Sequence, residues 1–176
     1  MRIYDALVSD HEKVKGLLVQ LVNLQTGDEK KRDKIIEKIE DDLIPHARAE
    51  EAVFYNSIRA VNAAKDLVWH GYAEHMEAES LLHTLKGAAA IDVGWRKTAL
   101  KLQEALLHHI QEEEEEIIPV AKRLFTDEEA KAMGDAFAEM KPQVLDGGFI
   151  QSSLDLIANL MPPRLAAPLR TFTLKA

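Results

Sequence analysis

The chain has 176 residues, a formal charge of −8, 47% hydrophobic and 30% charged residues, and no cysteine. That length supports one domain with a sizeable core, and the acidic balance argues against nucleic acid as the main partner, because phosphate binding needs a basic face. Without thiols, disulfides, thiolate zinc sites, iron–sulfur clusters and thiol catalysis are excluded, so any metal must be held by nitrogen and oxygen.

A first helix is expected over residues 3–25, where Tyr4, Leu7, His11, Val14, Leu18 and Leu21 recur in steps of three and four. Gly27-Asp28 reads as a turn. A second helix, 29–64, carries the stripe Ile36, Ile39, Leu43, His46, Glu50, Val53, with a kink or short break expected at Pro45, just before His46. The third, 66–89, carries Val68, Tyr72, His75, Glu79, Leu82, and the fourth, 95–125, carries Trp95, Ala99, Leu102, Leu106, His109, Glu113, Ile117, Val120, Leu124. Thr126 to Glu129 is a capping box for a short fifth helix, expected to end near Met140, before Pro142. Beyond the Gly147-Gly148 break, Leu154, Ile157 and Met161 suggest one more short amphipathic helix, stopped by Pro162-Pro163. Residues 1–125 thus read as the main domain and 126–176 as an extension packing on the bundle or on a partner, a route to a homodimer through the tail. The first dozen residues are polar and no run of about 20 apolar residues occurs, so the expectation is a cytoplasmic protein with no membrane partner.

Two stretches coincide when one is displaced by 63 positions: HARAEE, from His46, and HIQEEE, from His109. Both read H-x-x-x-E-E, followed two residues later by a large apolar pair, Phe54-Tyr55 and Ile117-Ile118. Upstream, Asp10-His11 and Glu74-His75 coincide at a displacement of 64, together with Leu17-Leu18 and Leu81-Leu82. A helical hairpin present twice makes an all-α, antiparallel up-down four-helix bundle. Residues i and i+4 share a helix face, so His46 points with Glu50, and His109 with Glu113. Two carboxylates and four imidazoles converging on an apolar axis need a counter-charge. Two metal ions supply it, with Glu50 and Glu113 as bridges, His11 and His46 on one ion and His75 and His109 on the other. This donor set suits iron or manganese, and zinc remains chemically possible.

On these residues the chain resembles hemerythrin-like HHE cation-binding proteins, over about seven-tenths of its length from Met1 to Phe125. The resemblance implies a four-helix bundle holding two iron ions in a non-haem di-iron centre, bridged by an oxo or hydroxo group and two carboxylates. It also marks a departure. Oxygen-carrying hemerythrins have H-x-x-x-H on the third helix, whereas this helix reads His75-MEA-Glu79. Glu79 either ligates on the His75 side or leaves that position open. A carboxylate there favours the ferric state and speaks against reversible oxygen carriage.

The remaining candidates carry blander readings. His108 lies about 100° round the helix from His109, and His70 and His83 lie off the stripe or two turns from His75, so all three read as non-ligands. Within the run Glu112 to Glu116 only Glu113 should turn inward. Glu51 and Glu114 read as outer-layer or surface residues, and Asp10 or Glu12 could orient a ligand imidazole. Tyr4, Tyr72 and Trp95 read as core fillers, with Tyr72 best placed to line a pocket. Three functions stand side by side: a di-iron protein that binds or senses O2, NO or peroxide; a di-iron enzyme or iron-handling protein of ferroxidase or peroxidase type; and a bundle using metal for stability alone. Turnover would favour the second, and metal that never changes redox state the third.

Overall fold

The computed structural model describes residues 1–59 and 62–145, and these are helical apart from short connections. Helix α1 is Ile3–Val22. Helix α2 starts as Glu29–Glu50, passes through a π-helical turn, Glu51–Tyr55, and ends as Asn56–Ile58. Helix α3 is Asn62–Lys86. Helix α4 starts as Val93–Glu112, passes through a second π-helical turn, Glu113–Ile117, and ends as Ile118–Leu124. Helix α5 is Asp127–Leu145. The expected fold class is therefore the observed one, and the first four helices pack as the bundle. The α1–α2 and α3–α4 turns lie together at one end, where the Thr26 hydroxyl donates to the Ile91 carbonyl at 3.1 Å.

Local chemistry accounts for most boundaries. Gly27, at φ 103°, turns the chain after α1 in a conformation that side chains disfavour. Asp92 caps α4 by accepting the Trp95 N–H at 2.7 Å. The capping box opens α5 as expected: the Glu129 N–H donates to the Thr126 hydroxyl at 3.2 Å, and the Thr126 N–H to the Glu129 carboxylate at 2.9 Å.

At the prolines one expectation fails and another fails in part: α5 does not stop before Pro142, and no break falls at Pro45. Helix α2 stays α-helical through Pro45, and its departure from α geometry comes later, at Glu51–Tyr55. Helix α5 continues through Pro142 to Leu145 instead of stopping near Met140. A proline in a helix frees the carbonyl four residues earlier. For Pro45, Pro119 and Pro142 that carbonyl belongs to Asp41, Glu115 and Ala138, all exposed, so water can satisfy it.

The two π-helical turns follow the duplicated motif and serve both copies alike. Each widens the helix by about one residue per turn. That brings Phe54 and Tyr55 on α2, and Ile117 and Ile118 on α4, into the core together, although adjacent residues of an α-helix diverge by about 100°.

The core has two apolar parts. One, towards the α1–α2 turn, packs Leu18, Leu21, Ile36, Ile39, Leu82 and Leu102 among others. The second packs Ile3, Leu7, Phe54, Tyr55, Ile58 and Ile117, and includes Met133, Phe137 and Met140 of α5. Helix α5 lies on α1 and α2, and Gly134 allows it to approach the backbone of Met1 to Ile3 closely. The possible helix at 153–161 and the docking of the tail lie outside the described residues.

Candidate metal centre

A layer of buried ionisable side chains completes the bundle interior. His11, His46, Glu50, His75, His109 and Glu113 are all buried, and the two glutamates are fully so. Their donor atoms gather into two groups, His11 with His46 and Glu113, and Glu50 with His75 and His109, each within 4.8 Å. Each group draws on both halves of the repeat. His11 Nε2 lies 3.1 Å from Glu113 Oε2, and His75 Nε2 lies 3.3 Å from Glu50 Oε2. His75 Nε2 and His109 Nε2 are 3.1 Å apart, close enough that the two nitrogens can hold only one proton between them.

The far side of every imidazole meets a carboxylate. His11 Nδ1 is 2.9 Å from Glu114, His46 Nδ1 3.3 Å from Asp10, His75 Nδ1 2.9 Å from Glu51, and His109 Nδ1 2.9 Å from Glu74. These contacts repeat with the sequence: Asp10 corresponds to Glu74, and Glu51 to Glu114. A carboxylate at Nδ1 fixes that nitrogen as the protonated one, leaving Nε2 as a lone-pair donor aimed inward. The Asp10, Glu51 and Glu114 readings match this placement. Glu12 does not take part; it is exposed and pairs with Lys15 at 2.8 Å. In the sequence Glu74 stands out only as half of an aligned pair, and its counterpart Asp10 is the signal for its role.

Rings and cations support the layer from outside. Tyr55 stacks on His75 with centroids 5.7 Å apart and planes 5° from parallel. Its ring lies against Gly71, where a Cβ would collide with it. Phe137 of α5 meets the His46 ring edge-on at 5.6 Å, and Lys141, also of α5, pairs with Asp10. Tyr72 packs edge-on against Tyr55 at 5.4 Å and donates its hydroxyl to the Glu51 carbonyl at 3.4 Å.

The electrostatics show what the layer lacks. All four oxygens of Glu50 and Glu113 are buried without a hydrogen-bond partner among the described residues, as is His11 Nε2. Burial, together with the adjacent Glu113 carboxylate, pushes the Glu50 carboxyl well above the usual range, so the pair on its own retains a proton. Burial pushes His46 down to about 4, against the hydrogen bond to Asp10, and lowers His75 as well, so both are neutral donors at pH 7. Burial would raise Asp10, but hydrogen bonds with His46, Lys141 and Lys13 hold it well below the usual carboxylate range. Unpaired buried carboxylates cost several kcal/mol. Two cations between the groups would satisfy all four oxygens, and neutral nitrogen with anionic oxygen is the donor chemistry that divalent transition metals take.

Glu79, a candidate ligand that would either bind on the His75 side or leave that position open, joins neither group. Its carboxylate is held by Arg48 of α2 at 2.7 Å. The i+4 spacing places it on the His75 face, but the guanidinium is close enough to claim it. His83 is exposed, and His70 and His108 lie on the surface, with Glu112 turned to His70 at 2.8 Å and not to the interior. Among the described residues no helix is long and apolar enough to cross a membrane.

Comparison with known proteins agrees with this geometry. The chain is 26% identical over 144 residues to a protein named DNA nickase from Nostoc sp. strain PCC 7120, an overlap that takes in 82% of this chain and 40% of that protein. This chain therefore spans less than half of that relative's length. No solved structure matches the chain significantly. A family model described as the hemerythrin HHE cation-binding domain matches residues 2–121, the span that supplies both donor groups. The chain belongs to the hemerythrin HHE cation-binding family.

Proposed function

We propose that the chain holds two iron ions, one at His11, His46 and Glu113 and the other at Glu50, His75 and His109, and that this di-iron centre binds or reacts with a molecule the size of O2, NO or peroxide. The observation that carries the reading is the set of four partnerless buried carboxylate oxygens facing four inward imidazole nitrogens. Imidazole and carboxylate without thiolate favour iron or manganese over softer metals, with zinc as the competing ion. The centre's role is to supply redox chemistry to the bound ligand; the protein's role is to position, exclude and hold protons.

The walls leave little room beside the imidazoles. A narrow cavity of about 10 Å³ reaches the His11, His46 and His109 imidazoles beside Asp10, between Val14, Leu43, Leu106 and Ile110. A space of that size admits at most one water-sized molecule. Its apolar sides pass a neutral diatomic more readily than an ion. With Glu79 paired to Arg48, each group offers three protein donors, so neither is closed by protein alone. That symmetry supports ligand reduction or sensing over reversible carriage, which needs one saturated and one open ion. The Nostoc relative's name does not transfer to this chain: the match covers 40% of that protein, and a charge of −8 disfavours phosphate binding. Metal analysis of iron-supplied protein, combined with its optical spectrum in air, tests the reading. Two irons per chain with oxo-bridged ferric bands are expected, and one metal or none would overturn it.

A further inference from the structure

Besides the two inner pairs and His75–Glu79, the H-x-x-x-E spacing occurs twice more in the sequence, at the surface or its margin: His70 with Glu74 on α3, and His108 with Glu112 on α4. The two antiparallel helices set these pairs face to face. His70 Nδ1 lies 2.8 Å from Glu112, and His108 Nδ1 lies 3.0 Å from Glu74 Oε1. The donor atoms of His70, Glu74 and Glu112 fall within 4.8 Å of one another, and the His70 and His108 rings are 6.2 Å apart. We propose that His70, Glu74, His108 and Glu112 form a third, solvent-facing site that takes one divalent transition-metal ion.

Separate surface ion pairs would not need this arrangement. Each pair alone is worth little in water, yet here one imidazole and two carboxylates from two helices, those of His70, Glu74 and Glu112, converge on one point, with the His108 imidazole beside them on Glu74. Two carboxylates balance a dication, and the two imidazoles supply the nitrogen that divalent zinc, iron or cobalt prefer over calcium or magnesium. The ion sits in an open groove, where Glu77 and Glu104 add two negative charges against the one positive charge of Lys101. Solvent can complete its coordination. Its position relative to the inner layer is also specific. Glu74 Oε1 faces the outer site while Glu74 Oε2 stays 2.9 Å from His109 Nδ1. One carboxylate therefore separates the surface ion from an imidazole of the buried group. The site stands on its own residues whether or not the inner centre holds iron.

Equilibrium dialysis of the full chain, first supplied with iron and then exposed to Zn²⁺, tests this with iron and zinc counted in the same sample. One zinc per chain beyond an unchanged iron content is expected. His70→Ala and Glu112→Ala should each weaken that zinc by at least about tenfold, the scale on which even indirect partners of a metal act, while leaving iron content and melting temperature as they were. Both side chains lie at the surface or its margin, so the fold tolerates their loss. No zinc beyond exchange for iron, or zinc held equally by both variants, would overturn the proposal. Failure of the inner reading shows separately, as low iron content.

Discussion

Replacing Glu50 with methionine should move the stability of this protein in opposite directions with and without metal. Glu50 is 0% exposed, and both its oxygens lack a hydrogen-bond partner among the described residues. In the metal-free protein it is a polar group buried beside a second carboxylate. Removing it leaves the His11–Glu113 contact at 3.1 Å intact and relieves one unsatisfied buried group, worth about 1–3 kcal/mol. Methionine is close in length and fills the space without polar atoms. For a chain of this size about 1 kcal/mol moves the melting temperature by roughly 2–4 °C, so metal-free Glu50→Met should melt about 2–12 °C above the metal-free parent. In the metal-loaded protein the same change removes a donor from the Glu50, His75 and His109 group. An ion present at about a thousand times its Kd stabilises the native state by about 4 kcal/mol, and the variant forgoes this while keeping the gain of about 1–3 kcal/mol, so the loaded variant should melt roughly 2–12 °C below the loaded parent. Scanning calorimetry with chelator and, anaerobically, with ferrous iron measures both arms. A variant less stable in both states would refute the argument that these carboxylates are a burden only metal relieves. Equal melting of the parent with and without metal would refute it too.

The other expectations are narrower. Glu113→Ala should abolish the dinuclear centre while Glu112→Ala keeps two irons per chain; equal loss in elemental analysis would show the wrong register on α4. Asp10→Asn and Glu114→Gln, which loosen His46 and His11, should each weaken iron binding by about 10–100-fold in competition with a chelator, with helicity unchanged. Gly71→Ala should displace Tyr55 from its stack on His75 and cost about 1–3 kcal/mol in urea unfolding, and a silent substitution would mean the contact is slack. The reduced protein should oxidise promptly in air, and Glu79→His should slow that oxidation; an optical spectrum that returns on degassing the unmodified protein would restore oxygen carriage. In the metal-free protein His46 titrates near 4 folded and near 6.5 unfolded, so between those values the unfolded chain binds more protons. His46 therefore adds stability at neutral pH that is lost as pH falls from about 6.5 towards 4, and His46→Gln should flatten that slope; an unchanged slope would remove His46 as its source.

The helical period and the internal repeat carried a large part of this protein in plain sequence. A stripe at steps of three and four says which face of a helix is buried, and i, i+4 spacing puts His46 with Glu50 and His109 with Glu113 whatever the rest of the chain does. Duplication turned two such helices into a bundle. The pairs His70–Glu74 and His108–Glu112 show the limit: spacing alone does not separate a buried pair from an exposed one, and the stripe was needed as well.

What lay beyond the sequence depends on which helices face each other. Glu79 goes to Arg48 because α2 brings that guanidinium alongside α3, a contact between residues 31 apart. The carboxylate behind each imidazole is likewise chosen by packing, with Glu114 of α4 behind His11 of α1 and Glu51 of α2 behind His75 of α3. The passage of α2 and α5 through Pro45 and Pro142 fits the exposed positions of Asp41 and Ala138, the residues whose carbonyls the prolines leave free, and exposure is set by packing. Phe137 and Lys141, far along the chain, reach His46 and Asp10 only because α5 folds back over α1 and α2. Local periodicity fixes neighbours within a helix; partners between helices follow from the packing of the whole, where competing charges and solvent access decide each pairing.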